Sequence, residues 1–211
     1  MASRTAVARA RRDEDKEGRR RQLLEAALAL FLHTPYASLR LAEVAQAAGL
    51  AKGTLFLYFP TKEALFLALL EERLGAWFER LDAVLSRGEG RWTGVRVARC
   101  VVASLEGDEP LLRLLPVWLT VLEHNVTREQ LLPFKGRLLA RQALTGALLE
   151  KRLPFLAAGE GGRLLVHEHA LVTELLTEPR LAPLRVDFAK ELGFALTHLL
   201  RGLECRVGKA P

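Results

Sequence analysis

The stretch LAEVAQAAGLAKGTLFLYFPTKEAL, residues 41 to 65, constrains what this chain can fold into more than any other. Apolar residues stand at helical spacing twice, first at Leu41, Val44, Ala45 and Ala48, then at Leu55 and Phe59. Gly49 between the two runs can take the left-handed conformation that ends a helix, and Pro60 stops the second run after barely two turns. Two short helices joined by a glycine turn make a helix-turn-helix. A helix as short as the second is marginal alone, because nucleation costs more than a few hydrogen bonds return. Its neighbours must hold it, so its purpose is display.

The rest of the chain repeats the helical pattern. RRQLLEAALALFLHT sets Leu23, Ala26, Ala27, Leu30 and Phe31 on one stripe, predicting a first helix from about Arg19 that Pro35 breaks, with Tyr36 folding back onto a small core. TKEALFLALLEERLGAWFERLDAVL predicts a long fourth helix with Leu65, Leu69, Phe78 and Leu81 facing inward and GEG at 88–90 marking its end. Further helices are expected over 91–105, 110–123, 127–153, 162–177 and 184–204, and Pro116 should kink or divide the second of these. Leu and Ala dominate the apolar residues and alternation of strand type is absent. The expected fold is all-α: a disordered basic arm over 1–18, a three-helix head over 19–62, and a larger helical body over 63–211.

Charge singles out the head. Residues 1–62 carry 11 basic and 6 acidic groups, whereas residues 63–211 carry 20 and 19. A basic module on a nearly neutral body is the footprint of a phosphate-binding head, although a solvated basic tail has the same composition. With Leu55 and Phe59 inward, Lys52, Thr54, Leu57 and Tyr58 point largely elsewhere. In a helix-turn-helix the second helix enters the major groove. Lys52 and Thr54 supply donors there, Leu57 can touch a thymine methyl, and Tyr58 offers a flat face and a hydroxyl. Gly53 lets the backbone approach closely. Thr61 caps the next helix, whose first-turn amides and Lys62 can hold a phosphate. The same shape also occurs in helical proteins that never meet nucleic acid.

Other classes find little support. An unbroken apolar run such as ALFLALL at 64–70 stays far below the roughly 18 residues of a membrane span, and the N-terminus lacks an apolar signal core, so a cytoplasmic site is expected. Cys100 and Cys205 stand alone and read as ordinary buried thiols. His167 and His169 would point about 200° apart on a helix and cannot share one ion unaided. GxSxG, GxxxxGK[ST] and HExxH are missing, so no catalysis and no cofactor is expected.

At these residues the sequence resembles the tetracycline-repressor (TetR) family of bacterial transcription regulators. LLEAALALF is similar to the family's first helix, LAEVAQAAGLAKGTLFLYFPTKEAL to its second and third, and FLALLEERL to the start of its fourth. Two positions depart from the pattern. Where the family has hydroxyl residues before helix two, Leu39 and Arg40 stand here with Ser38 before them, so that Ser38 can act as a shifted cap or Arg40 can contact phosphate directly. Phe56 replaces a Tyr and loses a hydroxyl able to reach a phosphate.

The resemblance implies a homodimer whose last two helices pack against those of a second chain, with Leu192, Leu199 and Leu200 supplying apolar area and Gly193 and Ala195 permitting close approach. Two heads related by a two-fold axis read a palindromic operator in double-stranded DNA. It also implies a pocket in the body for a small, apolar effector. Trp118, Leu122, Phe134 and Phe155 can line it, or equally be core. His124 and Asn125 either orient a ligand or satisfy buried backbone groups. The reading is a ligand-responsive repressor. A binder without ligand, an activator, or a helical interaction protein with a non-functional head remain open.

Overall fold

The computed structural model describes residues 4–87, 89–177 and 187–207. Gly88 of the expected GEG stop and residues 184–186 of the expected last helix lie outside the described residues, as do the first three of the expected arm. Among the described residues there is no strand, and no single helix is long and apolar enough to cross a membrane. Contacts divide the chain into two compact units, Met1–Leu69 and Leu70–Pro211.

In the first unit, helix α1 (Arg4–His33) precedes α2 (Leu41–Ala47), α3 (Lys52–Tyr58) and the opening turns of α4 (Lys62–Arg87). Helix α1 starts near Arg4, not near Arg19, so the expected disordered arm is helical from its fourth residue. Residues 4–18 are rich in Ala, Arg, Glu and Lys, which favour helix without needing burial, and Glu14, Asp15, Lys16 and Glu17 are exposed. The stripe of α1 lays Leu23, Ala27 and Phe31 against Leu39, Val44, Ala45, Leu55 and Phe59 in one core. The unit boundary falls inside α4 and not at residue 63, because Leu65, Phe66 and Leu69 belong to that core. Phe66 meets Phe31 and Tyr36 edge-on, with ring centroids 5.3 and 4.9 Å apart.

Helix α2 ends in a complete Schellman turn. The amide of Leu50 donates to the Ala45 carbonyl (2.9 Å) and that of Gly49 to Gln46 (3.0 Å), with Gly49 at φ 67°. Only a residue tolerant of positive φ can make this reversal cheaply. The turn delivers the chain straight into α3.

In the second unit, the remainder of α4 joins α5 (Gly94–Glu106), α6 (Glu109–Val117), a π-helical turn (Trp118–Leu122), α7 (Glu123–Asn125), α8 (Arg128–Arg152), α9 (Glu160–Thr177) and α10 (Phe188–Val207). Pro116, expected to kink or divide its helix, is followed at once by the π turn, in which the Glu123 amide reaches back five residues to the Trp118 carbonyl. Widening the helix absorbs the proline without ending it. Pro133 inside α8, which the sequence reading passed over, leaves that helix unbroken.

Glycines set the tightest crossings. A Cβ on Gly146 of α8 would stand 2.2 Å from the Gly162 amide nitrogen of α9, and one on Gly161 would stand 2.1 Å from the Gly146 carbonyl oxygen. Leu192, Leu196 and Leu200 of α10 are buried within the chain, where α10 packs on α5 and Leu200 covers Gly94. Helix α4 is tied into this unit by polar bonds. Asp108, the buried N-cap of α6, accepts hydrogen bonds from Arg73 (2.9 Å), from Arg80 and from the Leu111 amide (3.2 Å). Burial pushes the Asp108 carboxyl up, but these donors outweigh it and hold it below the usual carboxylate range.

Candidate nucleic-acid interface and effector groove

The helix-turn-helix presents α3 as the sequence predicts. Leu55 and Phe59 are buried; Lys52, Gly53, Phe56 and Leu57 are exposed; Thr54 and Tyr58 are half-buried. Leu57 is 83% exposed and Phe56 42%, on a unit that buries Leu23, Leu24, Leu39, Leu55, Leu65 and Leu69. The displayed surface is therefore mostly apolar, with Lys52 its cation, the ammonium 5.8 Å from the Phe56 ring. Gly53 has open space where a Cβ would stand.

Ser38 does not cap α2. Its amide donates to the Pro35 carbonyl (3.0 Å) in the preceding turn, and the cap position is Arg40, whose amide donates to the Glu43 carboxylate (3.1 Å). Leu39, which stands where a hydroxyl was expected, is core. Once Leu39 is anchored, Ser38 is two residues too early to reach the helix. Arg40 is left exposed beside the motif.

Thr61 caps α4 as expected, accepting from the Ala64 amide (3.0 Å). Lys62 is less free than its spacing implies. Its ammonium donates to the Tyr36 carbonyl and lies 4.1 Å from the Tyr36 ring centroid. Burial pushes its pKa down against the pull of Glu63 and Glu43. The Tyr36 hydroxyl donates to Glu63 (3.0 Å), and burial together with that carboxylate pushes the phenol up. This Tyr36, Glu63 and Lys62 cluster gave no signal in the sequence, because Tyr36 stands 26 and 27 residues before Lys62 and Glu63.

In the body, a groove of about 180 Å³ lies along α4 and α8. Leu74, Gly75, Phe78, Phe134 and Leu138 line it, and Glu71, Arg137 and Arg141 stand at its rim. Arg137 pairs with Glu71, Nη2 to Oε2 at 2.9 Å, and Arg141 pairs with Asp82 at 2.9 Å. Of the six residues expected at an effector pocket, Phe134 alone lines this groove. Trp118 packs against it, centroids 4.9 Å apart, while Leu122 is fully buried and Phe155 half-buried away from it. His124 and Asn125 are exposed, so neither faces a buried ligand, and Asn125 donates to the Val121 carbonyl (2.7 Å) at the helix end. The groove's arginines escaped the sequence reading, since on a helix α8 of mixed charge nothing marks them apart.

The expected interface residues need a similar correction. Leu192 and Leu200 are buried by α5 in their own chain, and Gly193 approaches Val102 of α5, where a Cβ would stand at 3.7 Å. Leu199 and Ala195 are half-buried, and Phe194, one position along, is 62% exposed. Cys205 is exposed and Cys100 half-buried, not the buried pair expected, because Cys205 falls off the inward row of α10. Among the described residues no group of His, Cys, Asp and Glu is arranged to hold a metal.

A helix-turn-helix unit with its second helix displayed is followed by a larger helical unit with its own groove, the two-part architecture of a helix-turn-helix protein. The sequence matches the profile of bacterial regulatory proteins of the tetR family over residues 23–69 and that of a tetracyclin repressor-like C-terminal domain over residues 71–207. The chain belongs to the TetR family. It is similar to the fatty acid metabolism regulator protein of Bacillus subtilis, 33% identical over 29% of this chain and 31% of that protein. It is also similar to the transcriptional regulator RutR of Escherichia coli, 36% identical over 35% of this chain and 34% of that one. It thus spans about a third of the length of the curated relatives it matches. Among solved structures, FadR of Thermus thermophilus, a repressor in complex with lauroyl-CoA, matches with a TM-score of 0.60 and 25% identity over 84% of this chain and 92% of that one.

Proposed function

We propose that the chain is a homodimeric, ligand-responsive repressor that binds a palindromic operator through α3 and is released by a fatty acyl thioester. The observation that carries the DNA reading is α3 itself, a seven-residue helix held by Leu55 and Phe59 that displays Lys52, Phe56 and Leu57. Arg40 and the capped start of α4 at Thr61 and Lys62 flank it with phosphate-binding groups. Lys62 keeps two ammonium protons for a phosphate after its bond to Tyr36.

The groove changes the expected effector. Arginines at the rim of an apolar floor suit a ligand with an anionic group on an apolar chain better than a purely apolar one. The lauroyl-CoA held by the Thermus thermophilus repressor is such a molecule. A ligand that prefers a conformation with badly spaced heads weakens operator binding by its differential affinity for the two states.

Selection of random duplex DNA by the purified protein tests the DNA reading. Enrichment of a two-fold symmetric sequence, its half-sites about one helical turn apart, is the expected result. No enrichment at low salt would rule it out and leave the interaction-protein reading. Addition of lauroyl-CoA to the operator complex should then release the DNA.

A further inference from the structure

We propose that Arg137 is the anion-binding residue of the effector groove and that Glu71 is its built-in competitor, displaced when the ligand's anionic group takes its place. The inference rests on the effector reading above. It starts from the difference between the two ion pairs at the rim. Asp82 is held twice, by Arg141 at 2.9 Å and by the buried Thr145 hydroxyl at 2.6 Å, so the Arg141 pair is fastened into the core. Among the described residues the Glu71 carboxylate accepts hydrogen bonds from Arg137 alone.

That pair is also the wetter one, with Arg137 59% and Glu71 35% exposed at their side chains. An exposed pair contributes up to about 1 kcal/mol, which is about fivefold in an equilibrium constant. Exchange of one carboxylate for another anion on the same guanidinium fork is therefore cheap, and the displaced Glu71 moves into water. The guanidinium accepts a carboxylate or a phosphate in the same bidentate geometry.

The floor beside Arg137 is apolar, as the apolar part of such a ligand requires. Leu74 and Phe78 of α4 face Phe134 and Leu138 of α8, with Gly75 between them. A glycine inside a helix is less favourable than an alanine. At Gly75 a Cβ would meet nothing within 4 Å, so no packing constraint demands glycine there, and its smallness leaves the groove open. Because Glu71 lies on α4 and Arg137 on α8, occupancy of the fork by a ligand frees one of the bonds that hold these helices together.

The test uses the full chain and three probes, lauroyl-CoA, dodecanoate and coenzyme A alone, with binding followed by tryptophan fluorescence and helical content by circular dichroism. Glu71→Gln removes the competitor's charge and should tighten binding about two- to fivefold. Arg137→Ala should weaken it at least about tenfold, Arg137→Lys less, and Gly75→Leu should weaken it by filling the floor while leaving both charges in place. Opposite signs for the two members of one ion pair are the signature, since a merely structural bridge would move both the same way. Unchanged or weaker binding by Glu71→Gln, with the wild type binding normally, overturns the competitor role and leaves the effector reading intact. If the wild type binds none of the three probes, the effector reading fails and the proposal with it. Dodecanoate as tight as lauroyl-CoA identifies the anion as a carboxylate; binding of lauroyl-CoA alone identifies a phosphate of the coenzyme.

Discussion

Leu57 is the residue whose exposure is hardest to reconcile with folding alone. A leucine left 83% exposed forgoes roughly 1.5–3 kcal/mol of burial, and single exposed leucines are common enough to pass unnoticed elsewhere. In the operator complex proposed above it would meet the major groove, where the thymine methyl is the apolar feature. Replacing thymine by uracil at one operator position should weaken wild-type binding several-fold and leave Leu57→Ala, already weaker, unaffected by the same change. Uracil tolerated at every position would remove the methyl contact while leaving operator binding untouched. Lys62→Ala should weaken all sequences alike and reduce the salt slope by about one, read from binding across a salt series. A base-specific loss would contradict the phosphate role. The outward set of α3 was legible in the sequence because Leu55 and Phe59 fix the inward side of a seven-residue helix. Ser38 was misread because capping depends on which residue enters the core first, and the burial of Leu39 is a tertiary event.

At the scale of elements, periodicity located the long helices described in the body within a few residues, but not what their facing sides do to one another. Gly146 and Gly161 read as ordinary helical glycines until α8 and α9 cross at backbone contact. Gly146→Ala should therefore cost about 3 kcal/mol, seen as a lower urea midpoint, because the nearest atoms are backbone and cannot turn aside. Helix α9 carries a second such case. Glu168 lies between two histidines in sequence, yet it is 4% exposed, and burial pushes its carboxyl up to about 8 from 4.5. The folded chain thus keeps a proton that the unfolded chain releases between those values, so stability falls as pH rises from about 4.5 to 8. The slope is about 1.4 kcal/mol per pH unit. Glu168→Gln should remove it, so that urea curves of variant and wild type lie close together at pH 5 and separate by several kcal/mol at pH 8, the variant being the more stable. A gap independent of pH would mean that the carboxyl is charged in the folded chain.

The whole molecule must explain why α10 is amphipathic on two sides. Leu192, Leu196 and Leu200 satisfy α5 within the chain, which takes Leu192 and Leu200 out of the set expected to meet a partner. What remains is a second, outward set. Phe194 is 62% exposed with its ring 4.0 Å from that of His198, Leu199 and Ala195 are half-buried beside it, and Val166 on α9 is 44% exposed. Sequence periodicity cannot separate the two rows, since both recur every three or four residues and differ only in which neighbour covers them. The proposed palindromic operator would need two heads, and this outward set on the last two helices is the apolar surface we propose joins them. Phe194→Asp places a charge in the middle of it, where burial against a second copy would strip its water without supplying a counter-charge. Sedimentation velocity should show the wild type as a dimer at micromolar concentration and the variant with a dimer dissociation constant raised at least thirtyfold, about 2 kcal/mol. The variant should also bind a single half-site as well as the wild type does but lose its preference for the full palindrome. A dimeric variant would move the interface off α10, and a wild type that stays monomeric while still selecting a palindrome would mean that the two heads meet only on DNA.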